Sequence, residues 1–228
     1  MPLLRSKNRL TLEDTVILKE IFFIFGAYLI GSFPTSAIIA KLKGVPDLTK
    51  EGSGNLGATN VSRVIGKKFG LITLIIDSAK GFLPVFFAMR LFHSQPADVQ
   101  QSASYLIFLS LVIIAPVAGH CFSIFIKFKG GKGVATGLGV FLAVSPEAVL
   151  IALLIFIIIL FSSRYVSLAS IISAFFTPFL VFYTLKNIYV FAASMIISIL
   201  IIYKHSPNIK RLINGTEHNI KDNYRSKR

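Results

Sequence analysis

Residues 52–63 read GSGNLGATNVSR: glycine, hydroxyl and amide side chains, closed by Arg63. Residues 119–137 read GHCFSIFIKFKGGKGVATG and set Gly130, Gly131 and Gly133 around Lys132. Later come RYVSL, with Arg164 and Ser167, and HSPNIKRLINGTE, with His205, Asn208 and Glu217. These residue types recognise anions. Glycine lets backbone N–H groups approach a ligand, hydroxyls and amides donate, and Arg and Lys supply charge. In GGKGVATG the lysine stands just before a predicted helix, whose N-terminus favours negative charge. The string is too short between its first glycine and its lysine to be a G-x-x-x-x-G-K-[ST] loop. Each string alone also fits a tight turn flanked by topology-setting cations. Their recurrence on one side favours a ligand site over a set of linkers.

The surrounding elements are membrane spans. The chain has 228 residues, 54% of them hydrophobic and 15% charged, where soluble domains carry about 25% charged residues. Its mean hydropathy is +0.73. Apolar runs predict helices at Ile21–Leu42, Phe69–Phe92, Ser104–Ile126, Gly133–Ser145, Glu147–Ser162, Tyr165–Leu185 and Ile188–Tyr203. Read as one helix, 133–162 would be about 45 Å long against a hydrocarbon core of about 30 Å. Pro146 and Glu147 break it, because proline disrupts a helix and a carboxylate is costly at mid-membrane. The expectation is an all-α protein of about seven transmembrane helices.

With seven spans, loops 43–68, 127–132 and 163–164 and the tail from Lys204 share one side. That side carries most of the 24 lysines and arginines. The positive-inside rule makes it cytoplasmic, with the N-terminus outside and the C-terminus inside. The net charge of +14 therefore suits anionic headgroups and anionic substrates better than nucleic acid. A single membrane-embedded unit is expected over 1–228, with an N-terminal tail at 1–20 and a C-terminal tail at 204–228. Asp77 and Lys80, three apart inside the second span, read as an intramembrane charge pair. No His, Cys and carboxylate spacing suggests a metal site. Cys121 is the one cysteine and excludes an internal disulfide.

Taken in order, the strings resemble the bacterial acyl-phosphate-dependent glycerol-3-phosphate acyltransferases called PlsY. GSGNLGATNVSR followed by DSAKG at 77–81 is similar to the family's first motif, and GHCFSIFIKFKGGKGVATG to its second. RYVSL and HSPNIKRLINGTE are similar to its later ones. Leu56 and Ser123 stand where proline is common in the family, and Ser206–Pro207 replaces a more usual basic pair. The resemblance implies acyl transfer from acyl phosphate to the 1-hydroxyl of sn-glycerol 3-phosphate, giving lysophosphatidate and inorganic phosphate. It implies no metal, cofactor, coenzyme A or carrier protein, and a monomer in the bacterial inner membrane among lipids, with its site on the cytoplasmic side. Catalytic roles fall to Ser53, Arg63, Lys132 and His205. Gly54, Asn55, Thr59, Asn60, Gly130, Gly131, Gly133, Arg164, Ser167 and Asn208 complete the substrate-binding set. Asp77, Lys80 and Glu217 are structural supports, with Glu217 holding a basic residue of the tail. HSQPAD at 93–98 matches an H-x4-D acyltransferase pattern, but it lies in the presumed outer loop without a companion arginine motif and is read as chance. The rival reading is a carrier of organophosphate or lipid anions.

Overall fold

The computed structural model describes residues 12–93, 97–100 and 102–220; part of each expected tail and of the HSQPAD run lies outside these. The described residues form helices and no strand. In chain order these are α1 (Leu12–Ser32), α2 (Thr35–Leu42), α3 (Ala58–Val64), α4 (Lys67–His93) and α5 (Ala97–Gln100). After them come α6 (Ala103–Cys121), α7 (Val134–Val144), α8 (Pro146–Ser163), α9 (Val166–Leu185), α10 (Ile188–Lys204) and α11 (Ser206–Ile213).

Local chemistry sets the boundaries. Pro34 has no N–H to donate and splits the first apolar run into α1 and α2. Ser145 caps α8 by accepting from the Ala148 N–H, with Pro146 in the first helical position. Glu147 is exposed, as the sequence predicts for that turn. Asn187 caps α10 through Oδ1, which accepts the Tyr189 and Val190 N–H groups at 2.9 and 3.1 Å.

Five helical segments are long and apolar enough to cross a membrane, or six if α10 and α11, bent by 54°, count as one. The remaining run, α7, has 11 residues and spans about 16 Å, half the hydrocarbon thickness. All seven predicted runs are thus helical, while length alone qualifies five or six. Large apolar side chains such as Phe22, Leu150, Phe161 and Ile199 face outward, as a lipid-exposed surface requires. Val112, Ile113, Val117, Val140, Val181 and Ile197 are fully buried at the centre.

Glycines let the helices approach closely. A Cβ on Gly31 would stand 2.2 Å from the Pro116 carbonyl oxygen, joining α1 to α6. On Gly139 it would stand 1.8 Å from the Ser78 oxygen, and on Gly81 2.1 Å from that of Thr136, joining α4 to α7. Small residues allow such packing between apolar helices in lipid. Gly139→Ala is expected to cost several degrees of melting temperature in detergent or to abolish folding. Gly26→Ala, with nothing within 4 Å, should melt like the wild type.

Candidate active site

The first polar string forms a loop wound around α3. Asp47 opens it, its Oδ1 accepting the Thr49 N–H at 3.0 Å. Gly52 and Gly54 have φ of +58° and +71°, which side-chain-bearing residues rarely adopt. Asn60 is fully buried. Its Oδ1 accepts from the Ser53 N–H at 2.8 Å, while Nδ2 donates to the Glu51 carbonyl at 3.0 Å. That amide is thereby engaged in shaping the loop and fixing the Ser53 backbone. Ser53, Gly54 and Asn55 are half-buried and Thr59 is exposed. Arg63 follows Thr59 by four residues on α3 and shares its face.

The second string folds back on the end of α6. Lys127 and Phe128, with φ of +53° and +61°, reverse the chain. Gly131 then donates its N–H to the His120 carbonyl at 3.1 Å. A Cβ on Gly130 would stand 1.9 Å from that same oxygen, and on Gly131 2.4 Å from the Leu56 oxygen of the first loop. The two loops therefore touch at Gly131. Gly133, at φ +84°, caps α7, so Lys132 stands just ahead of that helix.

The tail supplies the third wall. His205 is buried between α10 and α11, with Nδ1 2.8 Å from the Ile201 carbonyl. That bond makes Nδ1 the donor and leaves Nε2 as an acceptor. Glu217 gathers three donors: Ser167 Oγ at 2.9 Å, Asn208 Nδ2 at 2.7 Å and Arg211 Nε at 2.7 Å. Ile220 donates its N–H to the Arg164 carbonyl at 3.1 Å, while the Arg164 residue itself is exposed.

The walls meet electrostatically. Burial pushes the Lys132 ammonium down to about 8; the Glu217 carboxylate opposes this, and Arg211 and Arg63 add to it. Burial also acts on Glu217, but its bonds from Asn208, Arg211 and Ser167 outweigh that and hold the carboxyl below its usual range. His205 feels both Lys132 and Glu217.

The structure thus gathers Arg63, Lys132, Ser167, His205, Asn208 and Glu217 at one end of the bundle. Ser167 and Asn208 donate to Glu217, and Asn60 to its own loop. Asp77 and Lys80 lie elsewhere, as a buried pair 2.9 Å apart inside α4. Arg211 belongs to the cluster and was not singled out in the sequence. The signal available was its place in the HSPNIKRLINGTE string, three residues beyond Asn208.

A multi-pass helical membrane protein with a cationic, glycine-walled site at one end is the class that this arrangement defines. A family profile described as glycerol-3-phosphate acyltransferase matches residues 21–215. The glycerol-3-phosphate acyltransferase of Syntrophotalea carbinolica is 46% identical over 198 residues, covering 87% of this chain and 96% of that protein. The crystal structure of PlsY (YgiH), an integral membrane glycerol 3-phosphate acyltransferase, in its glycerol 3-phosphate form superposes with a TM-score of 0.80. It is 42% identical and covers 89% of this chain and 96% of that one. Its lysophosphatidic acid form matches at a TM-score of 0.77 and 41% identity, over 88% and 95% of the two chains. The chain belongs to the glycerol-3-phosphate acyltransferase family of the PlsY type. It is an acyltransferase, and the carrier reading falls with that assignment.

Proposed function

We propose that this enzyme transfers a fatty acyl group from acyl phosphate to the 1-hydroxyl of sn-glycerol 3-phosphate, releasing lysophosphatidate and inorganic phosphate. The observation that carries the reading is the meeting of Arg63, Lys132 and Arg211 beside His205 in one glycine-walled site. Two phosphate-bearing substrates repel each other, and three cations offset that repulsion while orienting both.

The hydroxyl oxygen attacks the acyl carbonyl carbon, and the bond from that carbon to the phosphate oxygen breaks. Phosphate is a good leaving group, so no acyl-enzyme intermediate is needed. A substrate phosphate oxygen accepts the hydroxyl proton, with His205 Nε2 as the alternative base. Ser53, Thr59 and the N–H groups around Gly54, Asn55, Gly130 and Gly133 bind phosphate oxygens, while the Gly131 N–H is held by the His120 carbonyl. Arg164 steers anions at the rim.

The first carbons of the acyl chain enter the cavity of about 90 Å³ between α7, α8, α9 and α10, and the rest of the chain lies in the bilayer. Its wall includes Val134, Ser170 and Ile201, each within about a turn of Lys132, Ser167 or His205. We further propose that α7 completes a set of seven membrane-crossing elements, acting as one domain in a single chain. The N-terminus would lie outside, with the site and the C-terminus on the cytoplasmic side of a bacterial inner membrane.

The test uses purified full-length protein with glycerol 3-phosphate and, in parallel, palmitoyl phosphate, palmitoyl-CoA and palmitoyl carrier protein. Lysophosphatidate and phosphate should form in equal amounts from palmitoyl phosphate alone. Turnover confined to the thioesters would retain the acceptor and overturn the donor.

A further inference from the structure

Asp77, Lys80 and His120 are nearly fully buried inside the spans, and His120 meets the residues assigned to substrate at Gly130 and Gly131. Ionisable groups are costly in that setting and are retained where they do something specific. Their contacts form a continuous path. Lys80 Nζ donates to the Phe33 carbonyl at 2.9 Å, at the break before Pro34. The same Nζ is 2.9 Å from Asp77 Oδ1, and that oxygen is 3.9 Å from His120 Nδ1. On the far side of the ring, a Cβ on Gly131 would stand 2.3 Å from His120 Nε2, so the glycine lies against that edge of the imidazole. The His120 carbonyl also holds the Gly131 N–H.

The next residue of α6 is tied down as well. Lys204 Nζ donates to the Cys121 carbonyl at 2.9 Å, linking α10 to the same helix end. A Cβ on Gly133 would stand 3.0 Å from Cys121 Sγ. Lys132 is therefore flanked on both sides by glycines pressed against His120 and Cys121.

We propose that His120 is a positioning residue, backed by the Asp77–Lys80 pair, whose imidazole seats the Gly130–Gly131 turn and so sets where the Lys132 ammonium stands. The proposal leans on the catalytic reading only in that Lys132 meets a substrate phosphate. Asp77 faces one edge of the ring at 3.9 Å from within the membrane, Gly131 rests on its other edge, and Lys132 is aimed at the site shared by Arg63, Arg211, His205 and Glu217. Removing the ring lets the turn relax toward water, although every assigned ligand group remains.

The experiment reads Lys132 directly, without substrate. Full-length protein in detergent is labelled with an amine-reactive reagent across a pH series, and the Lys132 peptide is followed by mass spectrometry. The wild-type midpoint is expected at about 8. In His120→Ala it should rise by about one unit toward the ordinary lysine range, since burial no longer acts fully on the ammonium. In parallel, KM for glycerol 3-phosphate should rise by about tenfold while kcat changes far less, as lost uniform binding predicts. His120→Gln, which restores a polar group near the position of Nε2, should return both readouts most of the way.

An unshifted midpoint in folded His120→Ala overturns the proposal, whatever its KM. A shifted midpoint with an unchanged KM upholds the positioning and removes Lys132 from the substrate, so the two readings fail separately. If His120→Ala does not fold, His120→Asn takes its place. It keeps an amide near Nδ1 but leaves Gly131 unsupported, and the same shift is expected.

Discussion

Lys132→Ala lowers kcat/KM for glycerol 3-phosphate and acyl phosphate by about 100- to 1000-fold, the scale of removing a preorganised stabilising donor at a reacting centre. The lysine is half-buried between glycines and shares its site with Arg63 and Arg211. A pH profile isolates the effect. Its ammonium titrates at about 8, so the charged form dominates below that pH and is lost above it. kcat/KM, which reports the free enzyme, should fall on the basic side with a limb near 8. Lys132→Arg keeps the charge at every pH examined and should abolish that limb while remaining slower than wild type, since the guanidinium cannot reproduce the geometry of a point charge. A basic limb unmoved in the arginine variant would assign it to another group.

Glu217→Ala should be the most destabilising change in the tail, at about 2–4 kcal/mol, because it removes the common acceptor of three donors on two helices. Ser167 begins α9, while Asn208 and Arg211 lie on α11; without the carboxylate, nothing joins them at that point. Thermal melting in detergent would register the loss, and activity would fall with it because Arg211 and His205 lose their frame. The sign of the pH effect follows from the depressed carboxyl. Its contribution is fully present above the ordinary carboxyl value of 4.5 and is lost as the pH drops through the lower, folded value. Wild type should therefore lose stability below about pH 4.5 more steeply than Glu217→Gln, which has no charge to lose. Equal acid sensitivity in the two proteins would show that the clamp contributes little.

The apolar runs were legible because hydropathy has to match a hydrocarbon layer, and the stop at Ser145–Glu147 was legible because proline and a carboxylate oppose one long helix. The polar strings that gather at one end of the bundle were legible too, since glycine, hydroxyl, amide and cation are rare within so apolar a chain and stand out wherever they occur. What a side chain does within a string was less so. Asn60 looks like a ligand group by type and place, yet its amide is spent on the Ser53 and Glu51 backbone. Ser167 and Asn208 meet in Glu217, ten or more turns of chain apart in one case and one loop apart in the other. Sequence spacing says nothing of a bond that closes only when α9 and α11 come together.

By itself, then, the sequence determined the solvent in which this protein folds, the order of its helices and the family to which it belongs, since each rests on residue type and local order. The tertiary structure alone decided that Arg211 joins the site and that His120 lies between a buried ion pair and the lysine loop. Those are outcomes of packing, where a missing Cβ on Gly131 or Gly139 sets how near two segments come, and no local pattern encodes which partner will fill that space.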